Sequence, residues 1–285
     1  MANSGIPAQT SIGAVHLTVS NLQRSLNFYR QTTGLALLGQ AGNQVTLGSD
    51  LEPLVILSEN PNAKRPSRTT GLYHFAILVP GRAELAYALM RLSRTHASVQ
   101  GFADHGVSEA VYLTDPDGNG IEIYWDRPPA AWPYDSHGEL NMTTDPLDVE
   151  AVLAEVQPAP VPPEYISPHT RIGHIHLHVS DLEIARRFYV NTLGFERTQT
   201  YTGSALFVSA GGYHHHIGLN TWAGRGAPPP PPDSTGLCWF QIRLPSQSDL
   251  EQVQKRILSH GGQIQEHAQG LLTHDPSQNG VLLTA

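Results

Sequence analysis

GFADHGVSEAVYLTDPDGNGIEIYW, residues 101–125, is the stretch of this chain that decides its fold. The turn-forming run at residues 115–120 lies between two short segments rich in β-branched and aromatic residues, a pattern that predicts a β-hairpin. Tyr112 then lies on the first strand and Glu122 on the second. Apolar neighbours predict an enclosed Glu122 carboxylate, which needs a cation beside it. The alternative is a Glu122 that faces solvent from an amphipathic strand.

The residues before the hairpin complete one β-α-β-β-β module. Residues 71–80 form a mostly apolar run with one polar residue, His74, and predict a buried strand. Residues 83–97 place leucines at i, i+4 and i+7, a spacing that predicts a helix. A single histidine on a buried strand is more often structural than functional, so His74 alone does not indicate a site.

The same module recurs along the chain. IGAVHLTVSNL at residues 12–22 aligns without a gap with IGHIHLHVSDL at residues 172–182. GLYHF at residues 71–75 likewise parallels GLCWF at residues 236–240. We therefore predict four modules in two tandem halves, at residues 10–60, 70–127, 170–222 and 235–285.

Proline-rich segments mark the connections between modules. We expect an N-terminal half, a linker and a C-terminal half at residues 1–127, 128–169 and 170–285. Pro158 and Pro160 belong to a proline cluster in the linker, within which a short helix is predicted around residues 147–156. The unbroken proline run at residues 228–232 reads as a polyproline II connector, with a protein-interaction motif as the alternative.

Composition excludes several classes of partner. The formal net charge is -8 and no basic patch is evident, so neither nucleic acid nor an anionic membrane is an expected partner. The N-terminus lacks a basic region followed by an apolar run, and no stretch approaches a membrane span, so we expect a cytoplasmic protein. Cys238 is the only cysteine, which suits a reducing compartment and excludes an internal disulfide.

Histidine is unusually frequent, with 15 residues against 17 lysines and arginines, and several lie in predicted strands. Alternating histidines at residues 174–178 share one strand face, and a triplet occupies residues 214–216. Three of them are best explained as structural histidines that hydrogen-bond inside a polar cavity, here called the polar cup, namely His16, His176 and His178. Three others are site candidates, namely His74, His174 and His215.

The spacing of His105, Tyr112, Asp115-Pro116, Gly118 and Glu122 resembles the signature of the vicinal oxygen chelate superfamily, and within it the type I extradiol ring-cleaving dioxygenases. GLYHFA at residues 71–76, GHIHL at 173–177 and HHHIGL at 214–219 are similar to two-domain bacterial catechol 2,3-dioxygenases. The resemblance implies an α+β fold in which four βαβββ modules pair into two open β-barrels with helices outside. It also implies a mononuclear nonheme Fe(II), or Mn(II), held by two histidines and a glutamate.

Carried over position by position, the resemblance assigns the metal ligands to His74, Glu122 and His174. It assigns proton transfer and substrate contact to His215, Tyr112 and His105. The chain departs from the commoner arrangement, in which modules three and four hold the metal. Its remaining ligand places hold residues that cannot bind a metal, namely Ala14, Trp239 and Leu282.

Two module pairings would restore a complete site. Modules two and three together bring His74, Glu122 and His174 into one barrel and leave modules one and four as an empty structural barrel. Modules one and two together would instead need His16 as the third ligand. The first pairing is favoured, because it also gathers His215 with the site.

The implied activity is an extradiol dioxygenase, which inserts both atoms of dioxygen into a catechol beside its two hydroxyls and yields a 2-hydroxymuconic semialdehyde. Two imidazoles and one carboxylate leave adjacent positions on the metal for the catechol oxygens and dioxygen. A glyoxalase-like metal isomerase or lyase, with a second glutamate ligand, is one alternative. A metal-free small-molecule-binding protein of the same fold is another, and the partners could include a second copy in a homo-oligomer.

Overall fold

The computed structural model describes residues 5–157, 161–201 and 203–285. The linker residues Pro158 and Pro160 lie outside these ranges. Module one comprises β1 Ser11–Val19, α1 Leu22–Phe28 with a π-helical turn Tyr29–Thr33, β2 Ala36–Ala41, β3 Gln44–Gly48 and β4 Pro53–Glu59. Module two comprises β5 Gly71–Leu78, α2 Arg82–Arg94, β6 Val99–Asp104, β7 Ser108–Thr114 and β8 Gly120–Asp126.

The linker contains a 3-10 turn at Pro129–Ala131 and the short helix α3 at Val149–Ala154, inside the segment predicted to be helical. Module three comprises β9 Arg171–His178, α4 Leu182–Arg186 with a π-helical turn Arg187–Thr192, β10 Glu196–Tyr201, β11 Ala205–Ser209 and β12 Ile217–Asn220. Module four comprises β13 Gly236–Arg243, α5 Gln247–Ser259, β14 Gln265–His267, β15 Gly270–His274 and β16 Gly280–Thr284. The predicted α+β fold of four βαβββ modules is confirmed.

The strands of the described residues form two sheets of eight strands each. One sheet has the order β14-β15-β16-β13-β1-β4-β3-β2 and combines modules one and four. The other has the order β10-β11-β12-β9-β5-β8-β7-β6 and combines modules two and three. Each sheet therefore takes one module from each half of the sequence, joined through the antiparallel pairs β1–β13 and β5–β9.

A continuous hydrophobic core contacts one face of the central strands in both sheets. Val15, Phe75, Ile175 and Phe240 are fully buried members of this core, one from each module. Because strand side chains alternate between faces, the residues on either side of these four point to the opposite face of their sheet. That opposite face carries the site histidines in one sheet and mostly apolar residues in the other.

Two buried hydrogen bonds tie the sheets together at equivalent places. The Tyr29 hydroxyl donates to Asp115 Oδ2 at 2.9 Å, and the Tyr189 hydroxyl donates to Asp275 Oδ2 at 3.0 Å. Each bond joins a helix-end tyrosine of one sheet's module to the turn of a hairpin in the other sheet. The repeat seen in the sequence is therefore also a repeat in tertiary contacts.

The predicted hairpin at residues 101–125 forms from β7 and β8, with Tyr112 directly opposite Glu122. Asp115 organises its turn by accepting hydrogen bonds from the backbone amides of Asp117 and Asn119. Gly118 adopts a left-handed backbone with φ 86°, a conformation that glycine takes without a steric penalty. The proline run at residues 228–232 lies between β12 and β13 outside any helix or strand, and its polyproline II conformation stays a prediction. None of the helices in the described ranges has the length and apolarity needed to cross a membrane.

Candidate metal centre

Three neighbouring strands bring His74, Glu122 and His174 together. Ala76 on β5 is opposite His174 on β9 and also opposite Glu122 on β8. The small Ala76 side chain leaves room above β5 for the imidazole and the carboxylate to meet, and His74 lies two residues earlier on the same strand face. The ligand atoms of the three residues all lie within 4.8 Å of one another.

The two imidazoles converge on a single carboxylate oxygen. Nε2 of His174 is 3.0 Å from Glu122 Oε2, and Nε2 of His74 is 3.1 Å from the same atom. Nε2 of His74 is buried and makes no aligned hydrogen bond in the described structure. A buried imidazole nitrogen that lies near a carboxylate and makes no hydrogen bond can offer its lone pair to a cation. This donor set fits a divalent metal ion of the two-histidine, one-carboxylate type.

The electrostatics favour the metal-binding protonation states of Glu122 and His174. Burial raises the pKa of Glu122, but His174 and His74 together outweigh it and hold that pKa well below its usual range. Burial lowers the pKa of His174, and Glu122 offsets only part of this effect. The site therefore combines an ionised carboxylate with a neutral imidazole, and these are the forms that bind metal.

Tyr112 and His105 lie beside this cluster and are joined by a hydrogen bond. His105 Nε2 is 2.7 Å from the Tyr112 hydroxyl, and His105 Nδ1 is 2.7 Å from the Thr143 carbonyl oxygen. Because a carbonyl only accepts, Nδ1 carries the proton of a neutral His105, and Nε2 accepts from Tyr112. Burial, with a smaller effect of the nearby Glu122, raises the pKa of Tyr112 well above its usual range, so the hydroxyl stays protonated.

The linker contributes directly to this side of the site. The Thr143 amide donates to the His105 carbonyl, and Asp145 forms a reciprocal backbone pair with Asp104 at the end of β6. The linker thus extends the sheet edge and supplies the carbonyl that orients His105. This role of the linker was not predicted, because a backbone carbonyl acceptor leaves no signal in the residue types.

His215 approaches the cluster from the loop before β12. Its ring lies 4.1 Å, centroid to centroid, from the His174 ring, and Phe207 packs against it from β11. Its Nδ1 is 2.8 Å from Nδ1 of His214, whose Nε2 is in turn 2.8 Å from Asp126 Oδ1. Burial, with a smaller effect of the neighbouring histidines, lowers the pKa of His215 well below its usual range. The imidazole is therefore neutral.

Asp126 and His214 were not among the predicted site residues. Asp126 follows the aromatic run at the end of β8 and resembles an ordinary exposed strand end, with a side chain that is in fact 20% exposed. His214 is completely buried, although its position in a polar triplet gives no hint of this. The only sequence signal was the triplet itself.

The polar-cup interpretation holds for two of three histidines. His16 Nε2 is 2.8 Å from the Ser58 hydroxyl, and His178 Nδ1 is 2.7 Å from Asn220 Oδ1. The interpretation is wrong for His176, whose buried Nε2 has no hydrogen-bond partner in the described structure, and Nδ1 of His16 is likewise buried without one. The His176 ring packs instead among aromatic side chains, including Tyr73 and Trp222.

The equivalent place in the other sheet is apolar. Ala14, Trp239 and Leu282 occupy the positions that correspond to His174, His74 and Glu122, and they pack with Ile56 in one buried cluster. These side chains offer no ligand atoms. His16 belongs to that sheet and not to the sheet that holds Glu122, so the pairing of modules two and three is the observed one.

His16 should make the folded state sensitive to acid. Burial, with a smaller contribution from His267, lowers the pKa of His16 to about 4. Between pH 6.5 and 4 the unfolded chain binds a proton at His16 and the folded chain does not, so the free energy of unfolding falls as the pH falls. We expect the free energy of unfolding of the wild type, measured by denaturant titration, to fall by about 2 kcal/mol more between pH 7.5 and 4.5 than that of His16→Gln. Equal losses in both proteins would contradict this assignment.

Comparison with known proteins agrees with this fold. A family model described as "Glyoxalase/Bleomycin resistance protein/Dioxygenase superfamily" matches residues 11–123 and 171–270. A protein of Bacillus subtilis (strain 168) named "Catechol-2,3-dioxygenase" is 48% identical over an alignment of 280 residues that covers 96% of each chain.

Solved structures share the fold at low sequence identity. A putative dioxygenase from Bacillus subtilis matches with a TM-score of 0.64 and 17% identity, over 96% of this chain and 84% of that one. Glyoxalase I from Zea mays matches with a TM-score of 0.58 and 15% identity, over 96% of this chain and 92% of that one. The chain belongs to the glyoxalase, bleomycin resistance protein and dioxygenase superfamily.

Proposed function

We propose that this protein is an extradiol ring-cleaving dioxygenase that acts on a catechol and dioxygen. The observation that carries the proposal is the convergence of His74, Glu122 and His174 on one buried point. The Bacillus subtilis relative at 48% identity, whose name states catechol 2,3-dioxygenase activity, supports the same reaction. The described structure brings one carboxylate to this cluster, which disfavours a glyoxalase-type site with two.

His74, Glu122 and His174 would hold Fe(II), with Mn(II) as the alternative metal. When bound, such a metal supplies adjacent open positions for a catechol and dioxygen, and the redox chemistry that joins them. The protein keeps the two imidazoles and the carboxylate on neighbouring strands of one sheet. These rigid elements fix the direction from which a substrate can approach the site.

His215 is the proposed proton acceptor for a catechol hydroxyl. Its ring lies against His174, and no hydrogen bond occupies its Nε2 in the described structure. A neutral imidazole near a metal site is the usual group for accepting and returning a proton at neutral pH. In the proposed reaction His215 takes the proton as the substrate binds and gives one back before the ring opens.

Tyr112 and His105 are proposed to act on a substrate oxygen as a pair. The Tyr112 hydroxyl donates a hydrogen bond to His105. The Tyr112 oxygen therefore remains free to accept a hydrogen bond from a substrate hydroxyl. His105 is in turn held by the Thr143 carbonyl. The pair would orient the catechol so that cleavage occurs beside the two hydroxyls and yields a 2-hydroxymuconic semialdehyde.

The proposal predicts that protein reconstituted with Fe(II) under anaerobic, reducing conditions retains about one iron per chain. On admission of air it should consume one dioxygen per catechol and form a yellow product from at least one member of a catechol panel. Iron analysis, an oxygen electrode and absorbance spectra measure these three quantities. Glu122→Gln is the matched control, because it removes the ligand charge and keeps the side-chain shape. Wild-type protein that neither retains iron nor turns any catechol yellow would overturn the proposal.

A further inference from the structure

We propose that Asp126 and His214 form a hydrogen-bond relay that holds His215 in one tautomer and one orientation toward the candidate metal centre. His214 is then a positioning residue, because it acts through His215. The inference rests on the proposed function for its catalytic consequence. The geometry of the relay involves only Asp126, His214 and His215, so it can be tested without measuring turnover.

The relay is a continuous chain of two short hydrogen bonds. Asp126 Oδ1 lies 2.8 Å from His214 Nε2, and His214 Nδ1 lies 2.8 Å from His215 Nδ1. Both ring nitrogens of His214 are therefore engaged, one on each side. Asp126 lies at the end of β8, the strand that also carries Glu122, so the relay and the metal site share one rigid support.

The direction of each hydrogen bond follows from the acceptor at the end. The Asp126 carboxylate only accepts, so His214 Nε2 carries the proton that it donates. In the proposed relay His214 carries only this one proton, so its Nδ1 is an acceptor and His215 donates from its own Nδ1. The single proton of a neutral His215 is thereby assigned to Nδ1. Its Nε2 is left with a lone pair, as a proton acceptor requires.

The carboxylate that starts the relay is itself held in place. The Tyr213 hydroxyl donates to Asp126 Oδ2 at 2.8 Å, and the Tyr124 hydroxyl lies 2.7 Å from that of Tyr213. Because Tyr213 gives its only hydroxyl proton to Asp126, Tyr124 is the donor in the second bond. Trp132, from the linker, packs against the His214 ring at 5.4 Å.

The sequence makes room for this network at one specific glycine. A Cβ atom at Gly173 would lie 1.8 Å from the Tyr124 hydroxyl, far inside contact distance. Gly173 directly precedes the candidate ligand His174. Only a residue without a side chain lets β9 carry that ligand and still pass over the tyrosine that begins the network.

The three consecutive histidines thus have three separate roles. His214 has no exposed surface and bridges Asp126 to His215. His215 faces the candidate metal centre. His216 Nδ1 lies 2.9 Å from the Ser209 hydroxyl and accepts from the Ala210 amide, so it anchors the loop to the preceding strand. Without the relay, His215 could turn over or carry its proton on Nε2, and in that state it could not accept one from a substrate.

The geometric part can be tested by nitrogen-15 NMR of histidine-labelled protein, recorded metal-free and loaded with diamagnetic Zn²⁺. The chemical shifts of the two ring nitrogens distinguish the tautomers. We expect His215 in the Nδ1–H form in the wild type and in a mixture of forms in Asp126→Asn and His214→Leu. A wild-type His215 in the Nε2–H form would overturn the relay, whatever the activity of the protein.

The kinetic part uses a conservative rescue. His214→Leu should lower kcat by about ten- to a hundredfold, with iron content and catechol KM near the wild-type values. His214→Asn keeps an amide oxygen in place of Nδ1 and should recover most of that loss. Tyr213→Phe removes the hydrogen bonds of the Tyr213 hydroxyl to Asp126 and Tyr124 but leaves the bonds that join Asp126, His214 and His215. It should change kcat by less than His214→Leu.

Equal losses in His214→Leu, His214→Asn and Tyr213→Phe would mean that the cluster acts only through packing, and would overturn the positioning role. If no variant and no wild-type sample turns over any catechol, the proposed function fails. The NMR result then still decides the relay by itself.

Discussion

His174→Ala should strip the metal from the protein, whereas His16→Ala should leave the metal content unchanged. His174 supplies one of three converging ligand atoms, with its Nε2 only 3.0 Å from Glu122 Oε2. Loss of one of three protein ligands at an open site is rarely tolerated. His16 lies in the sheet of modules one and four and bonds to Ser58 there. Iron per chain after anaerobic reconstitution measures the contrast.

The comparison requires that both variants fold. Circular dichroism and thermal unfolding should show native secondary structure in each before the metal content is interpreted. An iron-free His16→Ala together with an iron-loaded His174→Ala would contradict the assignment of the ligands. It would then favour the pairing of modules one and two at the functional level.

His215→Ala should retain the metal and lose turnover by on the order of a hundredfold or more, the usual loss when a general acid-base is removed. The reason is that its ring lies beside His174, while the three convergent ligand atoms belong to other residues. Turnover and iron per chain should be measured on the same preparation. Loss of iron in parallel with activity would mean that His215 is a ligand and not a proton-transfer group.

His178→Ala is a matched control for that experiment. His178 belongs to the same sheet, but it bonds to Asn220 and contacts Tyr73 instead of the three ligand residues. Its removal should lower turnover far less than His215→Ala does. A similar loss in both variants would indicate a general disturbance of the sheet and not the loss of a proton acceptor.

Much of the site could be predicted from local sequence. The turn-forming run at residues 115–120 predicts the hairpin with Tyr112 on its first strand and Glu122 on its second, and the structure shows that the two are directly opposite. His74 and His174 occupy matching positions on the first strands of modules two and three, and the family resemblance assigns both as ligands. These features depend on residues close in sequence, whose pattern of apolar side chains and turn formers is enough to specify them.

The module pairing and the surroundings of the ligands could not be derived in this way. The first strands of all four modules have similar patterns, so strand propensity does not say whether β5 adds to β9 or to β1. In the structure, the modules with apolar residues at the ligand positions share one sheet, and the modules with ionisable residues there share the other. Ala14, Trp239 and Leu282 form an apolar cluster on one sheet. His74, Glu122 and His174 lie together on the other sheet, where each buried polar group has a polar neighbour.

The amino-acid sequence by itself determined the four modules, the hairpin that carries Glu122 and the residue types of a metal site. Only the tertiary structure decided that β8, β5 and β9 are neighbours, that the linker carbonyl of Thr143 holds His105, and that Asp126 reaches His214. Contacts of the second kind join residues 38 and 88 positions apart in the chain. They depend on long-range strand pairing and buried hydrogen-bond geometry, for which local periodicity carries no signal.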